Sequence, residues 1–136
     1  MTVEDPPAAL GRIYVIDDDR AVLESTAFLL AAHGFACETF ASARDFLSAI
    51  DMLSPGCVLT DLRMPDIDGW SLRSALEERS IRWPVVLMSS DDQAELEGRA
   101  LAAGFSGFVR KPLEPDALRL ALERALAATA EGAREL

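Results

Sequence analysis

The stretch "YVIDDDRAVLESTAFLLAAHGF" (residues 14–35) decides the fold. It opens on short apolar residues, crosses three aspartates, and enters a segment where Val22, Thr26, Leu29, Leu30 and His33 recur at the i, i+4, i+7 spacing of one helix face. Gly34 closes the segment, where a helix C-terminus favours a residue free to adopt positive φ. The stretch reads as a strand, a polar tip and a helix, which is the repeating unit of a parallel sheet.

The same unit recurs along the chain. "IYVI" (13–16), "FACETF" (35–40), "CVLT" (57–60), "VVLMS" (85–89) and "GFV" (107–109) predict five strands. Between and after them, helices are marked by Phe46, Leu47 and Ile50, by Leu72, Ala75 and Leu76, by Leu96 and Ala100, and by Leu118, Ala121, Leu122 and Ala125. Gly104 repeats the stop signal of Gly34, and Ser90 with Gln93 has capping-box spacing. Five strands alternating with five helices imply right-handed crossovers and a doubly wound α/β domain, its parallel five-stranded sheet covered on both faces. Residues 1–11 read as a flexible N-terminal tail, 12–127 as the domain, and 128–136 as a C-terminal tail or linker stub.

Composition bounds the function. A chain of 136 residues, 50% hydrophobic, supports one domain with one core. No apolar run approaches the roughly 20 residues of a membrane span, and the start "MTVEDPPAAL" is acidic where a signal peptide is basic, so a cytoplasmic protein with no membrane contact is expected. The net charge of -10 argues against direct nucleic-acid binding, since a phosphate backbone demands a basic surface. Cys37 and Cys57 lie in apolar segments without C-x-x-C spacing and read as buried thiols.

In such a sheet, ligands bind beyond the carboxyl ends of the strands. The first strand ends in Asp17, Asp18 and Asp19, the third in Asp61, the fourth in Ser89 and the fifth in Lys111, whereas the second ends in Phe40 and Ala41 with nothing ionisable. Singly, each polar residue serves equally well as a helix cap or turn residue. Gathered together, the carboxylates repel unless a cation sits among them. Hard oxygen ligands without histidine or thiolate suit Mg²⁺ or Mn²⁺, and Mg²⁺ of this kind usually works on phosphate. Asp61 is the best nucleophile, since "LRMPDIDG" behind it carries Pro65 and Gly69 to fix a turn, and an aspartyl phosphate would result.

Lys111 is the chain's single lysine among 13 cationic residues. A compact ammonium meets phosphoryl charge as a point charge on the side away from a metal. Arg110 should point to the opposite face of its strand. Pro112 biases the preceding backbone toward extended geometry and permits a cis bond, either of which would aim Lys111 inward.

"YVIDDDRAVLESTAFLLAAHGF", "VLTDLRMPDIDGW", "VVLMSS" and "AGFSGFVRKPLEP" together resemble the receiver domain of bacterial two-component response regulators, over roughly residues 12–127 and in that family's motif order. The resemblance implies the flavodoxin-like strand order 2-1-3-4-5. It implies Asp61 as phosphoacceptor, Asp18 as direct Mg²⁺ ligand, Asp17 as a ligand through water, and the carbonyl of Arg63 as the remaining protein ligand. Ser89 stands where the family's switch hydroxyl stands, Phe108 at its switch aromatic, and Lys111 at its lysine, with a Lys-Pro bond that is commonly cis. Serine for threonine at 89, Ser90 for a smaller residue and Leu113 for a frequent phenylalanine are departures that remove no chemical role. Arg63 and Asp91 occupy positions that in this family flank the phosphoryl site and tune its hydrolysis; their opposite charges can pair over it, and Asp91 serves equally well as a plain helix cap.

The implied function is a signalling switch rather than a turnover enzyme. A sensor histidine kinase supplies the phosphoryl group, and the surface of the fourth helix, fifth strand and fifth helix then changes to regulate a downstream effector domain or protein, with a homodimer on phosphorylation as one outcome. Two alternatives stand beside it. One is a haloacid-dehalogenase-like phosphatase using Asp17, whose signature "DDDRA" matches only in part; the other is a degenerate receiver that binds proteins without taking phosphate.

Overall fold

The computed structural model describes residues 11–91 and 94–135, with side chains described through residue 128. Gln93, half of the expected capping box, lies outside the described residues, as does most of the expected N-terminal tail. Elements follow in the order β1 (Arg12–Ile16), α1 (Arg20–Ala32), β2 (Ala36–Phe40), α2 (Ala43–Ala49), a 3-10 turn (Ile50–Met52), β3 (Cys57–Asp61), α3 (Gly69–Glu78), β4 (Val85–Ser89), α4 (Leu96–Ala102), β5 (Gly107–Arg110) and α5 (Pro115–Glu135). The strands are parallel in the order β2-β1-β3-β4-β5, so β2, the strand without an ionisable tip, is an edge. Among the described residues, no helix is long and apolar enough to cross a membrane.

Strand alternation divides the core into two layers. Ile13, Val15, Cys57, Leu59, Val86, Met88 and Val109 face one side, against Leu23 and Leu30 of α1 and Leu118, Leu122 and Ala125 of α5. Tyr14, Ile16, Val58, Val85 and Leu87 face the other, against Phe46 of α2, Leu72 and Leu76 of α3, and Leu96 and Ala100 of α4. β1, β3 and β4 are buried on both faces and read as continuous apolar runs, whereas β2 and β5 at the edges are only partly buried.

One expectation needs correction. Of the expected α1 stripe, Thr26 and Leu30 are buried and are joined by Leu23, whereas Val22, Leu29 and His33 are only half-buried. At about 100° per residue, Val22 and Leu29 fall on its half-buried flanks, and His33 is the C-cap, its Nδ1 3.1 Å from the Leu29 carbonyl. Helix α5 continues to Glu135, so the residues expected as a C-terminal tail or linker stub are helical. Gly34 and Gly104 do carry the positive φ expected of them, 91° and 99°.

Candidate phosphoacceptor site

Local rules sort the three aspartates at the tip of β1 into different tasks. Asp19 caps α1, its side chain accepting from the amides of Ala21 at 2.9 Å and Val22 at 3.4 Å. Asp17 turns back into the fold and is 1% exposed, while Asp18 remains at the surface. Side-chain parity continues past the strand ends, so Asp17 follows Ile13 and Val15, Asp61 follows Cys57 and Leu59, and Lys111 follows Val109 on the same side of the sheet. The sequence thereby aims all three side chains at one point.

There, Lys111 Nζ lies 2.8 Å from Asp17 Oδ2 and 2.9 Å from Asp61 Oδ1. The second oxygen of Asp17 accepts from the Asp19 amide at 2.9 Å. Asp17, Asp18 and Asp61 each offer a carboxylate oxygen, and these oxygens lie within 4.8 Å of one another. Such a hard-oxygen set, open to solvent at Asp18, fits an ion of the Mg²⁺ or Mn²⁺ type that keeps several waters. Burial raises the Asp61 pKa above its ordinary carboxylate value; the hydrogen bond and charge of Lys111 pull it down, and Asp17 and Asp18 push it up again. For Lys111, burial pulls down, but the hydrogen bonds and charges of Asp17 and Asp61 outweigh it and leave the ammonium raised. It is therefore a fixed positive charge at neutral pH.

The loop after β3 holds Asp61 from below. The amide of Gly69, the first residue of α3, donates to the Leu62 carbonyl at 2.8 Å and closes the loop. A Cβ on Gly69 would stand 2.8 Å from Leu87 Cδ1 and 3.0 Å from the Asp61 carbonyl oxygen, so only glycine lets α3 start this close to the acceptor. Asp68 caps α3, accepting from the Ser71 amide at 2.8 Å. The Lys111–Pro112 bond is cis.

Ser89, buried at the tip of β4, accepts through its hydroxyl from the Asp91 amide at 3.0 Å. Phe108 is half-buried and packs against the layer beneath α2, α3 and α4. The expected pairing of Arg63 with Asp91 is present, Nη2 to Oδ2 at 3.2 Å, with the Arg63 side chain 77% exposed. Arg110 lies on the side opposite Lys111, as alternation requires. What the sequence did not reveal is where Arg110 goes: its Nη1 donates to the Asp91 carbonyl at 3.0 Å, and its guanidinium carbon sits 5.4 Å from the centre of the Phe108 ring. The i, i+2 spacing of Phe108 and Arg110 was the available signal for their stacking; nothing local pointed to Asp91.

Both cysteines are free thiols. Burial pushes Cys57 up to about 12, and burial with the neighbouring Glu38 pushes Cys37 up to about 11, so both thiols are almost wholly protonated at neutral pH.

Residues 13–123 match the family model described as the response regulator receiver domain. The chain is 39% identical over 116 residues to the transcriptional regulatory protein FixJ of Bradyrhizobium diazoefficiens, covering 85% of this chain and 57% of that protein. It is 35% identical to the transcriptional regulatory protein TdiR of Thauera aromatica, covering 88% of this chain and 52% of that one. Among solved structures, full-length FixJ from B. japonicum superposes with a TM-score of 0.83 at 37% identity, over 91% of this chain and 61% of that chain. The structure of FixJ-N superposes with a TM-score of 0.78 at 33% identity, over 84% of this chain and 91% of that chain. The chain thus spans between half and three-fifths of the curated relatives' length.

Proposed function

The chain belongs to the response regulator receiver family, and from that premise we propose that it is a phosphorylation-dependent switch that accepts a phosphoryl group on Asp61 from the phosphohistidine of a sensor kinase. The observation that carries the reading is the placement of Lys111 Nζ between Asp17 and Asp61, at 2.8 and 2.9 Å, beside carboxylate oxygens within 4.8 Å of one another.

A carboxylate oxygen of Asp61 forms a bond to phosphorus while the phosphorus–nitrogen bond of the donor breaks, and the imidazole leaves with the electron pair. Lys111 holds its proton throughout and donates to the arriving phosphoryl oxygens, exchanging part of its contact with Asp61 for them. Asp17, Asp18, Asp61 and the carbonyl of Arg63 are the groups that would hold Mg²⁺. When bound, the ion neutralises the carboxylates and draws charge from the transferring oxygens. Ser89 turns its hydroxyl toward the new phosphoryl group, and Phe108 occupies the space released. The altered α4-β5-α5 surface then acts on a downstream effector domain or protein, a second copy of this chain being one such partner. A 100-fold change in the ratio of the two arrangements needs about 2.7 kcal/mol, within reach of one charged hydrogen-bond network.

The chain's part is that of acceptor rather than turnover catalyst. Asp17 makes a poor phosphatase nucleophile, because both its oxygens are engaged and its carboxylate is 1% exposed. Incubation with phosphoramidate and Mg²⁺ followed by intact mass and peptide mapping tests the proposal. One phosphoryl group on Asp61, absent in Asp61→Asn, is expected. Label on Asp17, or none on the folded protein, overturns it.

A further inference from the structure

The contacts around Asp91 join two residues that the phosphoacceptor reading treats separately. Ser89 Oγ accepts from the Asp91 amide at 3.0 Å, and the Asp91 carbonyl accepts from Arg110 Nη1 at 3.0 Å. The same guanidinium lies 5.4 Å from the Phe108 ring centre, inside the roughly 6 Å range of cation–π attraction. Ser89 and Arg110 are also partners in the β4–β5 register, and the Lys111 amide donates to the Ser89 carbonyl at 2.9 Å, so the strand tips beneath this chain of contacts are fixed. Arg110 stands on Phe108's side of the sheet, away from Asp61, and its charge does not enter the acceptor site.

We infer that Arg110 is a positioning residue that couples the Ser89 hydroxyl to the Phe108 ring through the backbone of Asp91. In the resting arrangement Arg110 clasps the β4–α4 connection by a carbonyl and covers the ring, holding Phe108 in its half-buried place. Rotation of Ser89 about χ1 carries its oxygen off the Asp91 amide; the connection shifts, and Arg110, bonded to that residue's carbonyl, is drawn off the ring. A guanidinium suits the task because its planar fork can stack and donate at once, which an ammonium cannot do with the same geometry. The step by which phosphate moves Ser89 rests on the proposed function, but the clasp itself is a property of the resting protein.

The experiment reads the Phe108 χ1 rotamer populations from three-bond couplings in the full chain, with and without beryllofluoride and Mg²⁺ as phosphoryl mimic. Arg110→Ala is expected to raise the minor rotamer about fivefold in the resting protein, the change that loss of one modest contact makes. Ser89→Ala should produce the same change by removing the other end of the clasp, and the double variant should add nothing to either. Phosphoramidate labelling of Asp61 should stay within about twofold in Arg110→Ala, since the residue lies outside the acceptor site. Unchanged resting populations in Arg110→Ala, or additive effects of the two substitutions, overturn the inference. If wild-type Phe108 ignores the mimic, the switch role of that ring falls, and the resting-state comparison of the single and double variants still decides the clasp.

Discussion

Replacing Lys111 with methionine keeps the side chain's reach and deletes the charge that stands 2.8 Å from Asp17 and 2.9 Å from Asp61. Asp17 is 1% exposed and Asp61 13%, so at least one carboxylate is left inside the fold without a cation. Breaking a fully buried pair from one side costs about 3–5 kcal/mol. Here the Asp19 amide still donates to Asp17 at 2.9 Å, and Asp61 keeps a path to water. The expected loss in EDTA is therefore at the low end, about 2–3 kcal/mol, by urea denaturation followed through Trp70 and Trp83 fluorescence. A divalent ion supplies the missing charge. At about 100 times its Kd it stabilises a folded state by about 2.7 kcal/mol, and the variant's more negative site should bind it more tightly than wild type does. Because Mg²⁺ stabilises wild type as well, the gap closes only by the ratio of the two affinities, and a variant site about tenfold tighter recovers about 1.4 kcal/mol, roughly half of it. Lowering the pH should narrow it too, because Asp61, already raised by burial, takes up a proton and no longer needs a counter-charge. A variant within about 0.5 kcal/mol of wild type in EDTA, or a gap that Mg²⁺ leaves unchanged, refutes the reasoning.

Asp19→Ala removes the cap of α1 and should cost about 1 kcal/mol in urea midpoint analysis while leaving Asp61 labelling intact. A loss of labelling in that variant, measured on protein shown to be folded, would mean that the three aspartates do not divide their tasks as described. Cys37, held at about 11 by burial and Glu38, should react with iodoacetamide at a rate that rises about tenfold per pH unit through the neutral range, as the thiolate fraction does. A plateau near pH 8.5 in the native protein would contradict that placement.

The identity of β1, β3 and β4 was legible because parallel strands buried on both faces must be apolar throughout, a pattern no amphipathic helix shares; β2 and β5, partly exposed at the edges, were marked by their branched and aromatic residues. Helix registers were less so. Leu23 and Val22 are adjacent and both apolar, and which of them sits at the centre of the α1 stripe depends on how the helix lies against Val15 and Leu118, information held by residues far away in the chain. The same limit hid the length of α5: alanine-rich sequence past 127 is compatible with helix or with tail, and propensity alone does not choose. Asp17, Asp61 and Lys111 were found because each ends a recognisable strand. The sequence paired Asp91 with Arg63 and did not show its carbonyl accepting from Arg110, a contact 19 residues away in the chain that leaves no local pattern.

The parity of the sheet divides the residues at the strand tips between its two faces. Asp17, Asp61 and Lys111 continue the alternation that faces α1 and α5, whereas Ser89, Phe108 and Arg110 continue the one that faces α2, α3 and α4. A one-residue slip at the end of β5 would exchange Lys111 with Arg110 and bring a forked guanidinium to the carboxylates. Register therefore constrains this site as strictly as residue type does. β4 and β5 meet it with four paired positions, Val86 to Ser89 against Gly107 to Arg110, and with the Lys111 amide donating to the Ser89 carbonyl one step beyond. Because that last bond lies between Lys111 and Ser89, the two faces are tied at the backbone while their side chains lie on opposite sides. On the proposed coupling, a change at Ser89 would reach Phe108 without displacing Lys111, so long as the pairing of β4 with β5 survives the event.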